Sequence, residues 1–377
     1  MMNTQHLICT VGTSLFVTNL PRLDEQSSGA SVSTDEAAVA RAWRCHDWPS
    51  LAQAMRCLPP NRRLLGAEIN SIQSMLDRQF IPDACGLTFL HSDTADGKNT
   101  ASVLRDYFVG RGFAPVTAVV VPGLRDDNPR LFRTEGLRNL ARLICRTIHD
   151  YGPEQCAINA TGGYKAQIAI AVLIGQALSV PVYYMHERFA EVIDFPPMPV
   201  AMDFTLWMTT SGILWRLSRD TQPQPAADFS EEWDERLEPL VNREMIDGAE
   251  YLELSPVGQI FHETFTERFR RMAPELLPPK ATRKKPPRWE TGGLRAHPEI
   301  LAFMERLTAA ADFVESCATV YFNPDLPNPT RFRLGSHGIE AVFSAGTWTV
   351  RIRVDTTAEG DIQRRAAVAW LNDWLNR

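Results

Sequence analysis

A Rossmann-like α/β fold on a mainly parallel, doubly wound sheet is what the first 200 or so residues predict, from three observations. Strand signals alternate with helical ones. The strand runs are apolar throughout instead of alternating, as in strands covered on both faces. Two of them run into turns of small residues, Thr10-Val11-Gly12-Thr13-Ser14 and Asn159–Lys165. In chain order the strands are His6–Val11, Gly86–His91, Val116–Val121, Cys156–Asn159 and Pro181–Tyr184. Between them, Thr100–Phe108, Gly136–Ile148 and Tyr164–Leu178 have helical spacing, with Leu137, Leu140, Leu143, Ile144 and Ile148 on one face of the second. Ser27–Asp35 reads as an exposed loop, and Pro196-Pro197-Met198-Pro199 marks the end of a first domain over 1–203.

The remainder reads as two pieces. Residues 204–277 form a small helical or winged-helix-like adaptor: a loop at Pro223–Ala227, a helix over Glu231–Ile246, then a short strand and helix over Tyr251–Phe269. Residues 278–377 form a basic tether and a small α+β domain. Pro278–Arg288 carries Lys280, Arg283, Lys284, Lys285 and Arg288 among prolines, as a flexible tether would. A helix over Pro298–Glu315 precedes strands Arg331–Leu334, Ile339–Phe343 and Thr347–Val354 and a closing helix Asp361–Leu375. Period-two alternation puts Trp348, Val350, Ile352 and Val354 on one sheet face and Thr349, Arg351 and Arg353 on the other.

Composition bounds the function. The 377 residues are 44% hydrophobic and 22% charged, ordinary for a globular protein with a sizeable core. The longest apolar run, Ile168–Leu178, falls short of the roughly 18 residues of a membrane span. No basic, then apolar, N-terminal segment suggests a secretory signal. Seven scattered cysteines without a CxxC pair argue against a zinc ribbon or disulfide framework, so a reducing cytoplasm is expected. Residues 1–277 hold 25 Lys and Arg against 34 Asp and Glu, whereas residues 278–377 hold 14 against 11. An acidic body with a basic end suits a polyanion at that end.

The two turns carry the chemistry of the first domain. At the carboxyl edge of a parallel sheet, small residues let backbone N–H groups and a helix N-terminus meet an anion. Lys165 adds charge; Asn159 and Thr161 add hydrogen-bonding side chains. Neither turn has the GxxxxGK spacing of a Walker A loop or a full GxGxxG, so a dinucleotide cofactor is not supported.

Four motifs in order carry a resemblance over residues 6–203: TVGTSL at Thr10–Leu15, SDTADG at Ser92–Gly97, PGLRDD…GLRNL from Pro122 to Leu140, and NATGGYK…PVYY…PPMP from Asn159. Together they resemble the CARF domain of CRISPR-associated proteins. The resemblance implies a homodimer whose two-fold axis crosses a shared pocket for a cyclic oligoadenylate made by a type III CRISPR complex. Cyclic tetra-adenylate is the expected ring, ahead of cyclic hexa-adenylate; it is an allosteric activator, and no cofactor is expected. Carried over, Thr10, Gly12, Thr13 and Ser14 line one wall, Asn159, Thr161, Gly162, Gly163 and Lys165 hold phosphates and riboses, and Asp93 and Thr94 lie nearby. Some such domains also cleave their ring slowly, by in-line attack of a ribose 2′-hydroxyl.

The last domain, a helix, strands with outward arginines and a closing helix, resembles the RelE-type mRNA interferases, more diffusely. That resemblance implies metal-independent cleavage of mRNA on the ribosome by 2′-hydroxyl attack. Arg331, Arg333, Arg351 and Arg353 are the candidate cations for the developing phosphorane, and His337 the candidate proton carrier. Arg331 and His337 also match by count the Arg-x4–6-His motif of HEPN nucleases, which act on free RNA. That motif belongs on a long helix, whereas this stretch alternates like a strand. A third reading, a ligand-gated transcription regulator, would use the adaptor to read DNA, against the repulsion of its many carboxylates. Activation is expected to reposition the adaptor and free the basic face. No membrane or DNA partner is expected.

Overall fold

A computed structural model describes residues 4–27, 32–186, 189, 191–195, 202–219, 222–291, 297–325, 327–335, 338–345 and 347–377. The chain divides into two compact units, Met1–Ala201 and Met202–Arg377.

The first unit is a Rossmann-like α/β layer structure. Strands β1 (His6–Thr10), β2 (Gly86–Ser92), β3 (Val116–Val121), β4 (Cys156–Asn159), β5 (Val182–Tyr184) and β6 (Ile193–Phe195) form one sheet in the order β3-β2-β1-β4-β5-β6. The first five are parallel and β6 runs antiparallel at the edge. Between β1 and β2 lie a π-helical turn (Leu15–Asn19), α1 (Leu20–Ser27), α2 (Thr34–Arg44), α3 (Trp48–Arg56) and α4 (Ala67–Asp77). None of these was legible as separate helices, and Ser33 begins α2 with a capping box to Glu36 inside what reads as loop. They pack with α5 (Ala95–Val109) into a core holding Phe16, Leu51, Met55, Ile72, Phe89, Tyr107 and Phe108. A single turn, α6 (Pro129–Leu131), leads through a π-helical turn to α7 (Leu137–Tyr151), which packs against α8 (Lys165–Leu178). The chain leaves β1 toward β2 and leaves β4 toward β5, on opposite sides, so the strand order reverses between β1 and β4. That is the switch point at which open α/β sheets bind ligands.

The second unit joins the adaptor and the C-terminal segment in one packing unit. Its elements are α9 (Phe204–Arg219), β7 (Gln224–Pro225), β8 (Val241–Ile246), β9 (Ala249–Leu254), α10 (Pro256–Leu276), β10 (Arg288–Trp289), α11 (Pro298–Ala310), β11 (Val314–Asn323), β12 (Arg331–Gly335), β13 (Gly338–Ser344), β14 (Thr349–Thr356) and α12 (Asp361–Leu375). The expected helix over Glu231–Ile246 does not form. Short 3-10 turns cover Ala226–Glu232 and Glu235–Leu240, and β8 pairs with β9 through Asp247-Gly248, both at positive φ (49° and 82°). An Asp-Gly pair between two runs is a hairpin signal, and it overrides helix propensity here.

The larger sheet runs β10-β11-β14-β13-β12. Pro278–Arg288 is no tether: Ala281 donates to Asp312 O and Lys285 to Glu315 O, and β10 pairs parallel with β11. A proline-rich run is already extended and has few N–H groups to satisfy, which suits an edge. The helix expected over Pro298–Glu315 stops at Ala310, and Val314 begins β11. The helices α11 and α12 cover one sheet face, around Phe303, Phe332, Val350, Ile352 and Leu371. Buried Asn372 ties the unit together: its amide oxygen accepts from Phe332 N, and its amide nitrogen donates to Phe332 O, Ser211 Oγ and Val368 O. Among the described residues no helix is long and apolar enough to cross a membrane.

Candidate functional site

A cavity of about 1040 Å³ opens at the switch point of the first unit. Its floor is the two turns: Val11–Ser14 after β1 and Thr161–Lys165 after β4. Gly163 has φ 98°, a conformation open to glycine. Gly12 and Gly162 are needed for a different reason, the approach of one turn to the other. A Cβ on Gly12 would stand 2.8 Å from Gly163 N, and one on Gly162 would overlap Glu68 Oε1.

The expected ligand residues therefore divide. Gly12, Thr13, Ser14, Thr161, Gly162, Gly163 and Lys165 border the cavity. Thr10 and Asn159 stand behind it and build it. Thr10 is fully buried, and its hydroxyl donates to Gly162 O at 2.5 Å. Buried Asn159 donates to Ser71 Oγ at 2.8 Å and accepts from Thr161 Oγ1 at 2.6 Å; Thr161 Oγ1 accepts in turn from Met185 N. Asp93 and Thr94 are not in the lining. Asp93 accepts from Gly123 N, and Thr94 caps α5 by accepting from Gly97 N; Ser92, beside them, does line the cavity.

The opposite wall comes from helices that the pattern of the sequence did not resolve. Asn19 and Arg22 reach it from the π-helical turn and α1, Arg63 from the short turn before α4, and Asn70 and Gln73 from α4. Asn19 donates to Arg63 O, and Asn70 to Pro60 O and Arg62 O, so these amides fix the loop that carries Arg63. Arg22, Arg63 and Lys165 have no ion-pair partner among the described residues. Tyr164, Tyr184 and Phe189 add aromatic surface. Tyr164 packs edge-on against Phe132 at 5.2 Å, and burial, then neighbouring Asp126, pushes its phenol up. Three unpaired cations, a helix N-terminus and aromatic faces together suit a ligand with several phosphates and bases.

The arginines of the second unit share one sheet face, as the alternation predicts, but that face is not free. Arg331 is 3% exposed: its guanidinium donates to Glu232 Oε1 at 2.6 and 2.9 Å, to Asp228 O, to Asn328 and to Pro329 O. Arg333 pairs with Glu231, Glu232 and Glu340. Arg351 meets Glu231 with both carboxylate oxygens at 2.8 Å and lies 5.0 Å from the ring of Tyr321. Arg353 pairs with Glu290 and Asp355. The expectation of an open basic face of outward arginines is corrected accordingly: Glu231 and Glu232, from the segment that the sequence reads as an acidic helix, sit on three of the four arginines. Arg331 is on a strand, so the helical HEPN arrangement is not formed; His337 lies outside the described residues. His297 begins α11 and packs 4.8 Å from Trp348. Among the described residues no cluster of His, Cys, Asp and Glu has a metal-binding arrangement.

Residues 63–198, about a third of the chain and all within the first unit, match the family model described as CRISPR-associated protein (Cas_APE2256). The match spans the turn after β4 and Arg63, but not the turn after β1. No curated protein matches the chain.

Proposed function

We propose that the first unit is a CARF-type sensor of a cyclic oligoadenylate, cyclic tetra-adenylate before cyclic hexa-adenylate, and that the second is the effector it controls. The observation that carries this reading is the cavity at the switch point, floored by both turns and bordered by three cations with no ion-pair partner among the described residues. The CRISPR-associated family match over residues 63–198 supports it. A homodimer is part of the reading: Val17, Leu173 and Phe189 are apolar and 45–58% exposed, and a second copy is the natural cover for such surface.

The effector is proposed to be a RelE-like, metal-independent ribonuclease acting on ribosome-bound mRNA. Its reaction would be attack of a ribose 2′-hydroxyl, losing its proton, on the adjacent phosphate, with arginines stabilising the phosphorane; the P–O5′ bond breaks, leaving a 2′,3′-cyclic phosphate and a 5′-oxygen that takes up a proton. Arg351 and Arg353 are the more accessible of the four, with side chains 33% and 27% exposed. Arg331 and Arg333 are committed to holding the Ala226–Glu232 segment. On this reading the carboxylates of Glu231 and Glu232, paired with Arg331, Arg333 and Arg351, compete with phosphates for those guanidiniums. The expected release of this face on activation then means exchange of carboxylate for phosphate.

Calorimetry with the two rings tests the sensor, and toeprinting of translating ribosomes with and without the bound ring tests the effector. A ring-dependent cut in the ribosomal A site is expected; cleavage of naked RNA alone would favour a free-RNA nuclease. The β8–β9 hairpin followed by α10 favours one second reading, a winged-helix DNA contact. Its Arg243 is held by Glu238 and Glu250, and a gel shift with promoter DNA decides it.

A further inference from the structure

A carboxyl group lies beneath the anion-binding floor. Glu68, in the first turn of α4, is 2% exposed and does not border the cavity. Its Oε1 accepts from Gly12 N at 2.7 Å. The same oxygen packs so closely on Gly162 that a Cβ there would overlap it, and Oε2 would lie 3.6 Å from a Cβ on Gly66. Glu68 thus touches both ligand turns from behind and makes no salt bridge among the described residues. An ionised carboxylate in that place repels a phosphate settling on the other side of the glycines. A protonated one does not, and its carbonyl oxygen still accepts from Gly12.

We propose that Glu68 is the positioning residue of this pocket: it ties the turn after β1 to the turn after β4, and it takes up a proton when an anionic ligand binds above it. This rests on the ring-sensor reading. Burial raises the Glu68 carboxyl above its ordinary range, which favours the protonated form. Among the described residues, Cys9 on β1 also faces it; burial pushes that thiol well above its ordinary value, so it stays neutral. Arg22, Arg63, Lys165 and Asp77 border the cavity on its solvent side. A bound anion raises the Glu68 value further, so binding and protonation assist each other. Affinity therefore falls as pH rises, by at most about tenfold per pH unit between the free and bound values.

The test is calorimetric titration of the full chain with cyclic tetra-adenylate and cyclic hexa-adenylate, across neutral pH, in buffers of differing ionisation enthalpy. Wild type is expected to take up as much as one proton per site and to weaken as pH rises. Glu68→Gln keeps the acceptor for Gly12 and has no proton to gain; it should bind without uptake and with little pH dependence. Glu68→Ala lacks the acceptor, so the bond's worth is lost from stability and the melting temperature should fall; with the two turns untied, it should bind more weakly at every pH and without proton uptake. Ring binding with no proton uptake, or with equal uptake in Glu68→Gln, overturns this proposal alone. No binding of either ring to wild type overturns the sensor reading and this proposal together.

Discussion

Two groups of basic side chains in this chain look alike in the sequence and differ in their chemistry. Arg22, Arg63 and Lys165 border an open cavity and hold no carboxylate among the described residues. Arg331, Arg333, Arg351 and Arg353 each hold at least one. A free cation gains a full interaction when a phosphate arrives. A paired one only trades partners, and its net gain depends on what happens to the displaced carboxylate. Under the proposed function, the first group would meet the ligand directly, and the second would act only after its carboxylates are displaced.

The largest expected effect is structural. Arg331→Ala leaves Glu232 without its main partner in a nearly closed environment and should cost about 3–5 kcal/mol, read by denaturant unfolding. An unchanged midpoint would mean that the pair contributes nothing and that the contrast with the cavity is false. Next comes Lys165→Ala: loss of one charge-assisted contact, about 1.5–3 kcal/mol, should weaken ring binding roughly 10–100-fold with unchanged melting. Equal binding by the variant removes Lys165 from the site. Gly162→Ala drives a methyl into Glu68 and Thr10 O and should cost about 1–3 kcal/mol of stability, measured by thermal melting.

The smallest stability change is expected for Glu231→Gln. This residue is 57% exposed, so its ion pairs with Arg333 and Arg351 contribute only about 0–1 kcal/mol. Its effect on function should be larger, with RNA cleavage in the absence of ring rising several-fold as Arg351 is released, while Arg333 keeps Glu232 and Glu340. A variant as silent as wild type without ring would show that this carboxylate masks nothing. Lowering the pH does not substitute for the mutation near neutrality. The hydrogen bond from Arg333 holds the Glu231 carboxyl below its usual range, so the contact is intact above the ordinary carboxylate value and is lost only as pH falls through the lowered one.

Much of the first unit was legible because its strands and glycine turns are local signals: β3 and β4 have the bounds that their apolar patterns give, as does the closing helix α12 of the second unit. The cavity's second wall was not, since Asn19, Arg22 and Arg63 sit in short, irregular turns whose place depends on packing far along the chain. Thr10 and Asn159 show the converse. Their residue types suited ligand contact, but burial assigns them to holding the turns. Alternation correctly put Arg351 and Arg353 on one face, yet no spacing rule links Arg351 to Glu231, 120 positions away. Glu68 carries no motif at all; only its position between Gly12 and Gly162 makes it notable.

The junction at Asn372 has a practical consequence for anyone cutting or recombining this chain. One amide serves α9, β12 and α12 at once, and Gly212 lies so near Phe332 O that a Cβ would stand 3.0 Å from it. A fragment starting at residue 278 would expose that amide's Ser211 partner site along with the apolar face that α9 covers, so expression as an isolated C-terminal piece should give aggregate. The portable cassette is 202–377, and fusions belong at the 201/202 boundary.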